Sequence, residues 1–171
     1  MCRDPAGSKT NKDISLLAFF GGDHYKDVGG PEGRVLQQFQ GLVQHPNYKR
    51  GLLVEGLRQR YPREADARIL ATEHDNRRGP NLPDSEYNTL VGRARCNINI
   101  SGLRRSLPFR FCDSFLVGAC VPTDELAIRW YAPFEFGTEM AELGPMGYEL
   151  PENVDWGHAW RVLDDLANED H

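Results

Sequence analysis

The sequence has no apolar stretch approaching the roughly twenty residues that a helix needs to cross a bilayer. It has no excess of positive charge either: 20 Lys and Arg stand against 25 Asp and Glu. A general nucleic-acid binder usually carries the opposite balance. Low-complexity tracts are missing, which excludes wholesale disorder. Cysteine is scarce, and Cys2, Cys96, Cys112 and Cys120 lack the short paired spacings of a metal site. Neither a Gly-x-Ser-x-Gly nucleophile turn nor a Walker phosphate loop occurs. Residues 1–11 are polar and lack the apolar segment of a secretory signal. These absences lead us to expect a cytoplasmic protein with no transmembrane segment, no nucleic-acid partner and no bound metal. Cys96, Cys112 and Cys120 sit in apolar surroundings and read as small buried hydrophobes in a reduced setting, with a disulfide left open.

What is present fits one globular domain. At 171 residues with 40% hydrophobic side chains, the chain is long enough to bury a substantial core. Residues 1–12 read as a flexible lead-in and 13–171 as a single domain. Residues 14–20 (ISLLAFF) form a short continuous apolar run, the pattern of a strand buried on both faces. Gly21 and Gly22 end it and open a glycine-rich loop. Val35, Leu36, Phe39, Leu42 and Val43 then recur at helical spacing over 32–44, and His45-Pro46-Asn47 closes that helix. Leu52 to Glu55 reads as a further short strand.

Downstream the alternation continues. Strands are predicted near 67–72, 96–100 and 119–122, and helices near 84–92, 108–118 and 155–168. Trp156, Ala159, Trp160, Leu163 and Ala167 give the last helix its apolar face, on which Trp160 is expected to be buried against the sheet. Short apolar strands alternating with helices predict an α/β fold, a single Rossmann-like domain with a mainly parallel sheet flanked by helices. Ligands of such sheets bind where strand ends lead into helix starts. That directs attention to loops 21–33 and 101–108.

The second loop carries the richest chemistry. Ser106 suits a helix cap and Pro108 the first helical turn. The unpaired N–H groups and positive dipole of that terminus favour an anion. Arg104, Arg105 and Arg110 bring three guanidinium forks to the same place, matched to phosphate oxygens. Asp113, one turn beyond Arg110, suits the hydroxyls of a ribose. Other clusters read more blandly. His24 and Lys26 are exposed loop residues. Glu73, His74 and Asp75 alternate between strand faces and so do not converge on one ion. Trp130, Tyr131, Phe134 and Phe136 read as a buried aromatic group.

The stretch from residue 84 to 135, with its core RCNINISGLRRSLPFRFCDSFLVGACVPTDE, resembles the donor-binding signature of GT-B glycosyltransferases, in the exostosin-like flavour. Arg-x-x-acid, a later glycine and a Val-Pro pair carry the likeness. The resemblance implies that the chain is the C-terminal, donor-binding half of such an enzyme. It would transfer a sugar from a nucleoside-diphosphate sugar to an acceptor hydroxyl. Arg110 would hold the diphosphate, with Arg104, Arg105, Ser106, Gly21 and Gly22 beside it, and Asp113 the ribose, although the family more often has Glu there. No cofactor besides the donor substrate is implied, and a second domain or subunit would supply the acceptor site. The alternative is a non-catalytic nucleotide or nucleotide-sugar binding module, such as a regulatory subunit.

Overall fold

A computed structural model describes residues 12–21, 46–70, 83–101, 109–126, 134–137, 139–146 and 151–168. The first strand, β1 (Ile14–Gly21), is the apolar run read from the sequence. It pairs in parallel on one side with β2 (Ala65–Leu70) and on the other with β3 (Ala94–Asn97). Two short strands follow, β4 (Pro122–Thr123) and β5 (Ala141–Glu142), again parallel to each other. Parallel bridges Cys96↔Cys120 and Asn99↔Thr123 join β3 to the β4 segment. Asn97 N–H donates to the Cys120 carbonyl at 2.9 Å and Asn99 N–H to the Pro122 carbonyl at 2.8 Å. The two ladders therefore run on as one parallel layer in the order β2-β1-β3-β4-β5.

Helices cover both faces. Along β1 successive side chains alternate, so Leu16, Ala18 and Phe20 face one way and Leu17 the other. The first set packs with Leu53, Val54 and Leu57 of α1 (Pro46–Arg60) and with Ala159 and Leu163 of α4 (Trp156–Asn168). Leu17 packs with Leu90 and Val91 of α2 (Asp84–Arg93). On that same side of the sheet, further along, α3 (Phe109–Leu116) sets Phe111 against Val121 and Met140. The α/β expectation, with a mainly parallel sheet flanked by helices, holds.

Residues 46–55 differ from the sequence reading. They neither end a helix nor form a strand; they begin α1. Pro46 opens it, where a missing N–H costs nothing. Leu53, Val54, Leu57 and Tyr61 then fall at helical spacing and are buried. The predicted helix 32–44 lies outside the described residues. Trp160 is only half-buried, with Ala159 and Leu163 the buried members of its helix. Of the cysteines, Cys96 is buried as expected, whereas Cys112 is exposed and Cys120 is disulfide-bonded. No described helix is long and apolar enough to cross a membrane.

Candidate functional site at the carboxyl ends of the strands

The strand order places a switch point between β1 and β3: from β1 the chain goes on to β2 on one side, and from β3 to β4 on the other, the place where ligands of parallel sheets bind. Phe20, the penultimate residue of β1, marks that edge. Two arginines converge on its ring: the Arg110 Cζ lies 5.0 Å from the ring centroid and the Arg50 Cζ 5.4 Å. Each comes from the start of a helix, Arg110 from the first turn of α3 and Arg50 from the fifth position of α1. A cation over an aromatic face is attracted by the ring quadrupole, and about 1–2 kcal/mol is typical once water is excluded.

Both guanidinium groups are held in a low-dielectric setting. Arg50 is buried, and its Nη2 donates to the carbonyl of Ile100, just past β3, at 2.7 Å. Burial and the neighbouring Arg110 charge lower its pKa to about 10, against the pull of Asp124. Burial likewise lowers the pKa of Arg110, with Tyr87 opposing. Lys49, beside Arg50, is fully buried, and its Nζ donates to the Met146 carbonyl. The start of α1 thus carries two buried cations over the carboxyl edge of the sheet.

Acidic groups complete the cluster. Asp124, immediately after β4, has no exposed surface. Its Oδ1 accepts from the Ser101 N–H at 2.9 Å and from the Ser101 hydroxyl at 2.8 Å. Burial nevertheless pushes its carboxyl up to about 6, outweighing those bonds and the attraction of Arg50. Asp113, half-buried on α3, accepts from the Tyr87 hydroxyl of α2 at 3.3 Å. Burial first, and then the Asp113 charge, raise the Tyr87 phenol to about 12, while Arg110 works the other way. One strand over, the Asn99 Nδ2 donates to the Thr123 hydroxyl at 2.8 Å.

No protein-family model, curated protein or solved structure matches the chain. Of the residues read from the sequence, Arg110 stands at the start of a helix as expected, with Asp113 one turn on and Gly21 ending β1. Gly22, Arg104, Arg105 and Ser106 lie outside the described residues, as do His24, Lys26, Glu73, His74, Asp75, Trp130 and Tyr131. Phe134 joins the aromatic cluster as read, stacking on Phe115 at 5.2 Å, whereas Phe136 is exposed. Among the described residues no group of three or more His, Cys, Asp or Glu could hold a metal ion.

Sequence reasoning missed Arg50, Lys49, Tyr87, Ser101 and Asp124. Lys49-Arg50 looks like an ordinary solvated pair until α1 is recognised as a helix whose start lies over the sheet. Ser101 and Asp124 are 23 residues apart, and only the β3–β4 pairing brings them together. The one available signal was positional: polar residues directly after apolar strand segments, where ligand loops begin.

Proposed function

We propose that this chain binds a nucleoside-diphosphate sugar at the carboxyl edge of its sheet, as the donor-binding part of a glycosyltransferase of GT-B type. The single observation that carries this reading is the convergence of Arg110 and Arg50 on the Phe20 ring at the β1 terminus. Two guanidinium forks in a low-dielectric edge offer paired N–H donors matched to phosphate oxygens. In transfer of the sugar to an acceptor hydroxyl, those charges would stabilise the leaving diphosphate electrostatically. Asp113, on the same helix as Arg110 and held by the Tyr87 hydroxyl of α2, would take the ribose hydroxyls.

Calorimetric titration with uridine and guanosine diphosphates tests the reading. Arg110→Ala should weaken binding by about 1.5–3 kcal/mol, the scale of a charge-assisted hydrogen bond. The loss should shrink at high salt, where screening has already weakened the charge contribution. Asp113→Asn should reduce discrimination between ribo- and deoxyribonucleotides. Unchanged affinity in both variants would remove the reading. A sugar-transfer assay then separates an enzyme part from a binding module, which would retain affinity without turnover.

A further inference from the structure

One peptide unit joins the two charged sides of the cluster. The Ile100 carbonyl accepts from the Arg50 Nη2 at 2.7 Å, and the next N–H, that of Ser101, donates to the Asp124 Oδ1 at 2.9 Å. The C=O and N–H of one peptide are conjugated, so a carboxylate drawing on the N–H makes the carbonyl a stronger acceptor for the guanidinium. The Ser101 hydroxyl fastens the same Oδ1 at 2.8 Å. Arg50, Ile100, Ser101 and Asp124 are all buried, where charge is screened less than in water. An ionised Asp124 therefore holds Arg50 inward and cancels part of the positive field that Arg50 and Arg110 set up over Phe20. A neutral carboxyl does neither.

We propose that Asp124 is a proton-operated regulator of the arginine pair, releasing Arg50 to a bound diphosphate when protonated and holding it back when ionised. This rests on the proposed function, in which the diphosphate lies on Arg110 and Arg50. Asp124 acts through the Ile100–Ser101 peptide and through its charge, without touching the ligand. Its proton is exchanged near pH 6, because burial raises the carboxyl to about 6 against the Ser101 bonds and the Arg50 charge. An anion on Arg50 takes over part of that charge, raises the Asp124 pKa further and so binds with uptake of a proton. Affinity is greatest below about pH 6 and falls as pH rises from there to the higher pKa of the bound state. Lys49 on α1, Tyr87 on α2 and Asp113 on α3 are the further charged or titratable groups on the helices around the cluster. Glu125 follows Asp124 in the chain, Glu142 lies on the adjoining β5, and the His158 ring of α4 meets the Glu142 carbonyl. Asp124→Asn leaves every one of these in place.

The test is calorimetric titration with UDP-glucose, whose diphosphate, esterified at both ends, has no proton to lose between about pH 5 and pH 8. Wild-type affinity is expected to fall about tenfold across that range, the effect of a rise of about one in the Asp124 pKa on binding. At about pH 7, heats measured in buffers of different ionisation enthalpy should show proton uptake. Asp124→Asn should bind at every pH with nearly the low-pH affinity of the wild type, and without that uptake. Ser101→Ala removes a bond that favours the ionised carboxylate, so it should move the midpoint of the pH profile upward. If Asp124→Asn fails to fold, Ser101→Ala decides, and an unmoved profile counts against the regulator. Wild-type binding that ignores pH, or an Asp124→Asn profile that keeps the wild-type slope, would overturn the inference while leaving the proposed function standing. Absence of UDP-glucose binding to the wild-type chain at every pH would remove both.

Discussion

At Asp124, burial and hydrogen bonding pull in opposite directions, and burial wins. The folded protein therefore holds this proton more tightly than the unfolded chain does. Between the ordinary aspartate range and about pH 6 the native state binds the extra proton, so stability falls as pH rises through that window and levels off above it. Asp124→Asn removes the titration while keeping the size of the side chain. Across that window the ligand-free wild-type protein should lose on the order of 2–3 kcal/mol relative to the variant. Urea titrations at pH 4 and pH 7 measure the difference directly. Parallel pH dependence of the two proteins would mean that the carboxyl is not held in a desolvated site. The same residue illustrates how partial the sequence reading was. Arg110 and Asp113 were legible because both lie on one short helix, where three-residue spacing fixes their relation. Asp124 and Arg50 were not, because each becomes part of the site only through partners far away in the chain.

Helix α1 makes the corresponding point for elements. Gly56 sits where α1 meets α4, and a Cβ built there would lie 2.5 Å from two ring atoms of Trp160. The Trp160 ring is held in turn: it stacks on Trp156 at 6.1 Å, and the Arg60 Cζ lies 4.8 Å from it. Alanine is worth about 1 kcal/mol more than glycine in a helix interior, but overpacking a fitted contact costs about 1–3 kcal/mol. Gly56→Ala is therefore expected to destabilise the protein by about 1 kcal/mol net, seen as a lower urea midpoint with unchanged slope. A higher midpoint would show that the two helices separate readily. Gly56 is also one reason the helix was misread. Two glycines and an opening His-Pro look like punctuation in sequence, yet Gly56 serves close approach and Pro46 serves the first turn. The helices at 84–93, 109–116 and 156–168 had clear starts and apolar spacing, and their extents were predicted to within about two residues.

For the whole molecule, the sheet sets the order of stability. β1 and β3 each have a strand on both sides and helices over both faces, whereas among the described residues β2 and β5 each pair with one strand. Local opening is least favourable where backbone hydrogen bonds are most enclosed. Amides of Ile98 and Asn99, which bond to Leu17 and Pro122 at 2.8 Å, should exchange with solvent at the slowest rates in the protein, near those of global unfolding. Hydrogen exchange followed by NMR checks this, and faster exchange there than in α4 would show that the sheet opens independently. The sequence by itself determined the class of fold, the β1 strand and three of the helices, because each depends on the periodicity of neighbouring residues. It also placed Arg110 and Asp113 one turn apart on one helix. The tertiary structure decided the strand order, the identity of α1 and the meeting of Arg50, Arg110, Ser101 and Asp124 at one edge. Those relations depend on which strand lies beside which, and hydrophobic patterning alone does not encode that choice, since every apolar strand here suits a neighbour on either side.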